Sequence, residues 1–383
     1  MYLQRMPEFY RSDLSMHFQR IIVKLGTSTL TGGSPYLSHP HLVDLARQMA
    51  QLHSSDSQVA LVSSGAVAAG KEALNFPELP RFIPKKQMLA AVGQPRLMGI
   101  YEQYFRIYDK TIAQVLLTRS DLTDRRRYIN ARNTLEALLA QKVIPIVNEN
   151  DTVATDEIRV GDNDNLSALV ANLIEADLLV LLTDQEGLFT SDPRRDPQAR
   201  LIHEVASPEI PKELWLAAGG TGSGQGTGGM VTKLQAADLA RRSGTTVVIA
   251  CGSDPDILLR VANGETVGTR FLPLVSTIES RKRYLLAGKR TSGLLHIDSG
   301  AAQALVAGRS LLAVGVRKVE GSFERGDTVR AVRLDGKEVA LGLVNYSSKD
   351  LAVLGGHQSA EIEALLGYTF GDEVIHHNNM VLL

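Results

Sequence analysis

A glycine-rich stretch that leads to a lysine is the feature of this sequence with the clearest chemical potential. Residues 219–233 read GGTGSGQGTGGMVTK, with seven glycines among the first eleven residues. The Walker phosphate-binding pattern G-x-x-x-x-G-K-[ST] places its lysine directly after the last glycine, whereas Met-Val-Thr separates Gly229 from Lys233 here. Glycines at this density form either a flexible linker or a loop whose backbone amides approach a phosphate closely. Taken alone, the run leaves both interpretations open.

The residues that follow the glycines favour the phosphate-binding loop. Residues 230–242, MVTKLQAADLARR, have apolar side chains at helical spacing and predict a helix that begins where the glycines end. The free amides and the positive dipole end of that helix would face an anion, with Lys233 one turn inside the helix. The alternative for Lys233 is a solvated position on the helix surface.

A second lysine lies inside an apolar stretch. Lys24 interrupts residues 21–26, IIVKLG, where an ammonium group is costly to bury unless it meets an anion at the strand end. We therefore interpret Lys24 as a site residue. The alternative is an edge-strand lysine that reaches water.

Small and polar residues follow other apolar stretches. Ser63, Ser64 and Gly65 end one of them, but the chain has no G-x-S-x-G motif, and none of its nine histidines lies in a recognisable nucleophile motif. The pattern disfavours a serine hydrolase, and we assign these residues to binding.

The segment 148–171, NENDTVATDEIRVGDNDNLSALVA, concentrates acidic and amide side chains. It lacks the D-x-[DN]-x-[DN]-G-x5-E spacing of a calcium loop, so its acidity does not require a metal held by the protein. Carboxylates and amides near two lysines suit an amino acid, whose ammonium needs acceptors and whose carboxylate needs donors. A polar loop in which Asn163 or Asp164 caps the next helix is the plainer interpretation, and for Asp162 both stay open.

Together these residues predict phosphoryl transfer. Two lysines and a phosphate-binding loop, with no evident general base, fit an acceptor that is already a nucleophile, such as a carboxylate. Such a reaction requires alignment of the two groups and neutralisation of the charge that gathers on the transferring phosphoryl group.

The elements that must hold these residues alternate between strands and helices. The predicted strands are short apolar runs at residues 21–26, 59–65, 112–118, 143–149, 178–184 and 246–250. Segments of helical period separate most of them, which predicts an α/β domain with a mostly parallel sheet. In such sheets ligands bind beyond the carboxyl ends of the strands, where the polar residues of this sequence gather.

Beyond about residue 270, short alternating segments with turn signals predict a small β-rich domain. Asp335 and Gly336, between VRAVRL and KEVALGLV, are a hairpin signal. We therefore divide the chain into an N-terminal tail at residues 1–20, expected to be disordered, an α/β domain at residues 21–275 and a β-rich domain at residues 280–383. Met16 is an alternative start to Met1.

Composition excludes several classes of protein. The 383 residues carry 41 Lys and Arg against 42 Asp and Glu, which disfavours a protein devoted to nucleic acid or to an anionic membrane. Charged residues interrupt the first 20 positions, so they are not a secretory signal, and the apolar runs are too short to span a bilayer. The single cysteine, Cys251, fits a reducing compartment. We expect a cytoplasmic protein.

Six motifs, all in one order, resemble the glutamate 5-kinase family of the amino-acid kinase superfamily. They are VKLGTSTLTGG at 23–33, VSSGAVAAG at 62–70, VNENDTVAT at 147–155, VGDNDNLSA at 160–168, LLTDQEGLFTSDPR at 181–194 and GTGGMVTK at 226–233. The SDPR element is shared with aspartokinases and uridylate kinases, whereas NEND, GDNDN and GTGGMVTK together are more specific.

The resemblance implies a three-layer αβα kinase that phosphorylates the γ-carboxylate of L-glutamate with Mg-ATP, the first step of proline biosynthesis. It also implies feedback inhibition by proline and a homo-oligomer, either a dimer or a tetramer. Magnesium would be held largely by ATP phosphates and water, without a metal site of the protein's own.

The same resemblance implies roles for individual residues. Lys24 and Lys233 would stabilise the transferring phosphoryl group, and Asp164 would hold both lysines in place. Glutamate would be bound by Ser64, Asp151 and Asn163, with Gly65 and Asn148 as lesser candidates. ATP would be bound by Lys24, Thr183, Asp184, Thr227, Gly228, Gly229, Met230, Val231, Thr232 and Lys233.

The C-terminal region resembles a PUA domain, a fold found in RNA-modifying enzymes. The resemblance is carried by FERGDTVRAVRLDGKEVALGLVNYSS, whereas RSLLAVG at 309–315 replaces the SSLLPKG that family members often have. The loss of that Pro-Lys pair weakens the case for RNA binding by this segment. Arg281, Lys282 and Arg283 form a basic cluster that we interpret as a solvated linker rather than an RNA contact.

Two alternatives to a glutamate kinase stay open at this point. One is another amino-acid kinase, acting on acetylglutamate, aspartate, carbamate or UMP; Asp151 and the NEND motif favour a free ammonium over an acetylated one. The other is an RNA-binding protein in which the kinase fold is regulatory. The near-neutral charge and the complete set of kinase motifs argue against it.

Overall fold

The structure, a computed structural model, describes residues 18–76, 78, 83–154, 163–219, 229–276 and 291–383. The chain forms two compact units, one of Met1–Arg119 with Thr134–Leu274 and the other of Ser120–Asn133 with Val275–Leu383. The three domain boundaries expected from the sequence stay predictions. Most of the expected tail, and the basic cluster at 281–283, lie outside the described residues.

The first unit contains an eight-stranded sheet in the order β3-β4-β2-β1-β5-β7-β8-β6, in which only the pairing of β7 with β8 is antiparallel. Its strands are β1 (Arg20–Leu25), β2 (Gln58–Ser63), β3 (Ile112–Leu117), β4 (Ile144–Glu149), β5 (Leu178–Thr183), β6 (Glu204–Val205), β7 (Thr246–Cys251) and β8 (Thr269–Phe271). All six strands predicted from apolar runs are confirmed, and the fold class is the predicted one.

The strands form where they do because their apolar residues are needed on both faces of the sheet. In β1, Ile21, Val23 and Leu25 pack into a core cluster with residues of the second helix, while Ile22 and Lys24 face the opposite side. Alternation of side chains along a strand makes this division unavoidable. Lys24 therefore lies on a different face from most of its apolar neighbours.

Helices cover both faces of this sheet. The helices of this unit are α1 (Thr27–Thr31), α2 (His39–Ser54), α3 (Ala66–Ala73), α4 (Ile83–Arg106), α7 (Asn163–Leu173), α8 (Lys212–Ala217), α9 (Met230–Arg242) and α10 (Ile257–Ala262). Two further helices follow β3 in the chain, α5 (Arg119–Thr123) and α6 (Arg125–Ala140), and their residues Ser120–Asn133 belong to the second unit. Helix α9 has the bounds that its sequence pattern predicts. Helices α2, α4 and α10 contribute to the core cluster that contains Ile21, whereas α7 and α9 pack together on the other side.

The second unit has a five-stranded sheet in the order β11-β9-β12-β13-β15 and a two-stranded sheet of β10 and β14. Its elements are β9 (Gly293–Ile297), α11 (Ser299–Val306), β10 (Leu311–Leu312), β11 (Val316–Gly321), β12 (Thr328–Arg333), β13 (Glu338–Leu343), α12 (Ser348–Leu354), α13 (Ile362–Leu366), β14 (Glu373–Ile375) and β15 (Met380–Leu382). The predicted hairpin is confirmed, because β12 and β13 pair antiparallel across Gly336, whose φ is +85°.

Two smaller observations concern classes of protein considered above. Cys251 is a free cysteine that is buried at the end of β7, where it packs as a small apolar residue would. Across the described part of the chain, every helix is too short or too polar to cross a bilayer.

Candidate active site

One carboxylate, that of Asp164, lies between two lysine ammonium groups. Its Oδ1 is 2.5 Å from Lys24 Nζ, and its Oδ2 is 3.3 Å from Lys233 Nζ. Thr232 Oγ1 donates a hydrogen bond to the same Oδ2 at 2.6 Å. The exposed fractions of Lys24, Asp164 and Lys233 are 4%, 3% and 8%. Two positive charges and one negative charge are thus held together away from solvent.

Three separate elements bring this cluster together. Lys24 is on the face of β1 that lies against α7, Asp164 is in the first turn of α7, and Lys233 is in the first turn of α9. Strand β1 lies between β2 and β5, so the edge-strand interpretation of Lys24 is wrong. The solvated interpretation of Lys233 is also wrong, because its side chain is buried against Asp164.

Burial and charge shift the pKa values of this cluster in opposing ways. Burial lowers the pKa of the Lys24 ammonium group, the charge of Lys233 lowers it further, and Asp164 opposes both. For Asp164, burial favours a higher pKa, but the charges of Lys24 and Lys233 outweigh it and hold the pKa below its usual value. Asp164 is therefore ionised at neutral pH and stabilises the two ammonium groups.

A second cluster lies at the neighbouring residue of α7. Asn163 Nδ2 contacts Ser64 Oγ at 2.9 Å, Asn148 Oδ1 at 3.0 Å and the carbonyl oxygen of Ser63 at 3.3 Å. Asn163 Oδ1 is buried and has no hydrogen-bond partner among the residues that the structure describes. A buried acceptor of this kind is available to an ammonium group of a ligand.

The other two residues predicted to bind glutamate flank this cluster along the chain. Gly65 precedes α3 as its N-cap residue and has a φ of +104°, a conformation that favours glycine. Asp151 is half-buried in the turn after β4. Burial raises the pKa of its carboxyl group, and the charge of Lys86 opposes the shift.

A cavity of about 810 Å³ lies at the carboxyl end of β5 and the start of α9. Four of the residues predicted to bind ATP line it: Thr183, Asp184, Gly229 and Met230. Gly229 has a φ of +96°, and a Cβ built on it would meet nothing within 4 Å among the residues that the structure describes. The volume falls in the range of small-molecule sites, and the open space beside Gly229 would let a phosphate approach the backbone.

The remaining predicted ATP-binding residues have different surroundings. Val231 and Thr232 are buried within α9, and the hydroxyl of Thr232 is bonded to Asp164. Thr227 and Gly228 lie outside the described residues. The structure thus brings the lysines together with Asp164, and Ser64 together with Asn148 and Asn163.

Helix α4 contributes side chains to this site that were not predicted from the sequence. Asn148 Nδ2 donates to Gln94 Oε1 at 2.8 Å, and the hydroxyl groups of Tyr101 and Ser63 are 2.6 Å apart. Gly93 and Pro95 interrupt the helical pattern of this segment, so no helix was predicted there. No motif marks these side chains, because their role depends on residues far along the chain.

Comparison with known proteins gives the family. The sequence profile of the amino acid kinase family matches residues 19–251, and that of the PUA domain matches residues 293–366. Glutamate 5-kinase of Shewanella amazonensis is 56% identical over 367 residues, which cover 96% of this chain and 96% of that protein. The glutamate 5-kinases of Shewanella sediminis and Herpetosiphon aurantiacus are each 54% identical and cover 96% of this chain, with 98% and 99% of their own lengths matched. With this identity along nearly its whole length, the chain belongs to the glutamate 5-kinase family.

Proposed function

We propose that this chain transfers the γ-phosphoryl group of ATP to the γ-carboxylate of L-glutamate, the first step of proline biosynthesis. The products are L-glutamyl 5-phosphate and ADP. The observation that carries the proposal is the buried pairing of Lys24 and Lys233 with the single carboxylate of Asp164. Membership of the glutamate 5-kinase family supports glutamate as the acceptor.

The arrangement suits phosphoryl transfer to a carboxylate. One γ-carboxylate oxygen forms a bond to the γ-phosphorus while the bond from that phosphorus to the bridging oxygen breaks, and the electron pair leaves with ADP. No proton has to be removed from the acceptor. Because the two lysines exceed Asp164 by one positive charge, the cluster can neutralise charge on the transferring group, and its burial strengthens this interaction.

The second cluster supports recognition of the amino acid. Asn163 Oδ1 and the carboxylate of Asp151 are acceptors for the α-ammonium group of glutamate. Ser64 Oγ accepts a hydrogen bond from Asn163, so its own proton is left to donate to a carboxylate of the substrate. The Gly65 amide, at the start of α3, is a further donor.

The cavity beside β5 supports nucleotide binding. Gly229 provides backbone without a side chain next to Lys233, where the β- and γ-phosphates would lie. Magnesium would neutralise part of the phosphate charge when bound. ATP phosphates and water are its expected ligands.

Three further properties are proposed on family membership and composition. Proline inhibits the reaction, the chain forms a dimer or a tetramer, and it acts in the cytoplasm. Addition of proline to the activity assay tests the first, and light scattering of the purified protein tests the second.

The activity is tested by trapping the acyl phosphate. The purified chain is incubated with Mg-ATP, hydroxylamine and L-glutamate, and the hydroxamate is measured. Parallel reactions contain N-acetylglutamate or L-aspartate, the acceptors of related kinases. Hydroxamate that depends on both ATP and L-glutamate is the expected result, while folded protein that yields none with L-glutamate would overturn the proposal.

A further inference from the structure

Helix α4 presents a row of three polar side chains at seven-residue spacing: Gln87, Gln94 and Tyr101. Seven residues are close to two helical turns, so the three lie along one face over about 21 Å. Each reaches a different segment at the carboxyl edge of the sheet. Gln87 Nε2 contacts the carbonyl oxygens of Thr152 and Ala154 at 3.3 and 3.4 Å.

Tyr101 is hydrogen-bonded to Ser63, the last residue of β2. Ser63 Oγ donates to the carbonyl oxygen of Ser64 at 2.8 Å, and its oxygen lies 2.6 Å from the Tyr101 hydroxyl. A serine hydroxyl has one proton, so Tyr101 must be the donor in the second bond. Tyr101 is 1% exposed, and burial raises the pKa of its hydroxyl well above the usual value, which keeps that donor protonated.

The hydrogen bonds from Tyr101 to Ser63 and from Ser63 to the Ser64 carbonyl orient the peptide group that follows Ser64. The peptide between Ser64 and Gly65 is planar and trans, with its N–H directed opposite to its carbonyl. Holding the Ser64 carbonyl toward Ser63 therefore also fixes the direction of the Gly65 N–H. That amide is one of the donors that the proposed function assigns to glutamate.

Gln94 orients the side chain of Asn148 in a similar way, by a hydrogen bond from α4. Asn148 Nδ2 donates to Gln94 Oε1, and Gln94 Nε2 in turn donates to Gln114 Oε1 at 3.3 Å. With Nδ2 engaged, Asn148 Oδ1 is directed to Asn163 Nδ2. Asn148 Oδ1 also accepts a hydrogen bond from the Glu149 amide at 2.8 Å. Gln94 and this amide together hold the Asn148 side chain, and through it they orient the Asn163 amide group.

The helix that carries this row is held rigidly against α3. A Cβ on Gly70 would lie 1.9 Å from the carbonyl oxygen of Leu89, and one on Gly93 would lie 1.8 Å from that of Ala66. Only glycine at both positions allows the two backbones to pack this closely. Tyr101 itself packs against Phe105, with ring centroids 6.4 Å apart.

We propose that Tyr101 and Gln94 are positioning residues that set the affinity for the acceptor amino acid, acting through Ser64, Gly65, Asn148 and Asn163. The proposal rests on the function proposed above. Neither residue belongs to the lysine cluster or lines the nucleotide cavity, so their effect is confined to the acceptor half of the site.

The test compares full-length Tyr101→Phe and Gln94→Leu with the wild type in the hydroxamate assay. Each removes hydrogen bonds and retains most of the packing. We expect the KM for glutamate to rise roughly three- to tenfold in each, since a hydrogen bond contributes about that factor to binding. The KM for ATP is expected to stay within about twofold, an effect that general loss of structure would not produce.

Tyr104→Phe is the matched control, because it removes from the same helix a tyrosine hydroxyl that is bonded to His39 of α2 rather than to Ser63. Its KM for glutamate should equal that of the wild type. Calorimetric titration with glutamate gives an independent measure of affinity for every variant. Thermal unfolding shows whether each variant is folded.

The outcomes separate this inference from the proposed function. A wild type without glutamate-dependent product would remove both. An active wild type with an unchanged glutamate KM in Tyr101→Phe and Gln94→Leu would overturn the positioning role alone. So would equal losses of glutamate and ATP affinity, or variants too unstable to fold, since these indicate a purely structural role.

Discussion

Asn163 and Asp164, the first two residues of α7, contact two different clusters of side chains in the candidate site. The amide of Asn163 contacts Ser64 and Asn148, while the carboxylate of Asp164 pairs with Lys24 and Lys233. Adjacent residues near the start of a helix project about 100° apart, so one short segment can contact both clusters. In the proposed reaction the acceptor and the transferring phosphoryl group would meet at this point.

Removal of the shared carboxylate should destabilise the fold. Asp164→Asn leaves two buried ammonium groups without their counter-charge, and we expect a loss of about 3 kcal/mol in the free energy of unfolding, measured with urea. The double variant Asp164→Asn with Lys24→Met removes one of those charges and should recover part of the loss. The exposed Asp56→Asn is the control and should change little. A stable Asp164→Asn would show that the charge cluster is more hydrated than its burial indicates.

Removal of Lys233 should affect the chemical step. Lys233→Met is expected to lower kcat by about 10²- to 10³-fold, as for other groups that stabilise charge in a transition state. The KM for glutamate should hardly change, because the acceptor cluster is built from other residues. Lys142→Met, an exposed lysine paired with Asp56, serves as the control in steady-state assays. An unaltered kcat would exclude Lys233 from phosphoryl stabilisation.

Asp151 should give glutamate binding a dependence on pH. Burial raises its folded-state pKa above the unfolded value of about 3.9, so the folded carboxyl group takes up a proton at a higher pH than an unfolded one. As pH falls through that raised pKa, the acceptor for the glutamate ammonium is lost and the KM should rise. The same shift means that its contribution to stability declines as pH rises from the unfolded pKa through the folded one.

Asp151→Asn separates this effect from titration of glutamate itself. The variant should bind glutamate more weakly at neutral pH, with a KM raised roughly tenfold or more, as for loss of a charged hydrogen bond. Its KM should keep only the pH dependence that the substrate carboxyl groups impose. Identical KM profiles against pH for the variant and the wild type would contradict the role of Asp151.

Gly229→Ala should weaken ATP binding. The φ of +96° disfavours alanine, and the added methyl group would occupy the open space beside the cavity. We expect the KM for ATP to rise about tenfold, because a φ of +96° with a ψ of −149° is a conformation that essentially only glycine adopts, and it costs a residue with a Cβ about 1–3 kcal/mol. Gly336→Ala, with a φ of +85° and similarly open surroundings in the β12–β13 hairpin, also places a Cβ at a positive φ and should leave ATP affinity unchanged. Equal KM values for ATP in both variants would contradict phosphate binding at Gly229.

Much of the fold was predictable from local pattern. Parallel strands buried on both faces form continuous apolar runs, so β1, β2, β4, β5 and β7 were recognisable. The edge strand β3 is only half-buried and was recognisable from its own apolar residues. Helix α9 was predicted because its apolar spacing follows directly on the glycine run. Helix α4 was not, since Gly93 and Pro95 obscure its pattern, and the need for Gly93 arises only from contact with α3.

Residue types and strand-end positions alone marked Lys24, Lys233 and the 148–171 segment as candidate site residues. A charged side chain in an apolar strand is costly to bury, so it indicates a partner of opposite charge or a ligand. Which groups pair was decided by the tertiary structure. Lys24 and Asp164 are 140 residues apart in the chain, and only the parallel order of β1 beside β5, with α7 and α9 on one face, brings them within 2.5 Å. The contacts of Gln94 and Tyr101 likewise depend on where α4 packs, and hydrogen bonds between distant residues have no local sequence pattern.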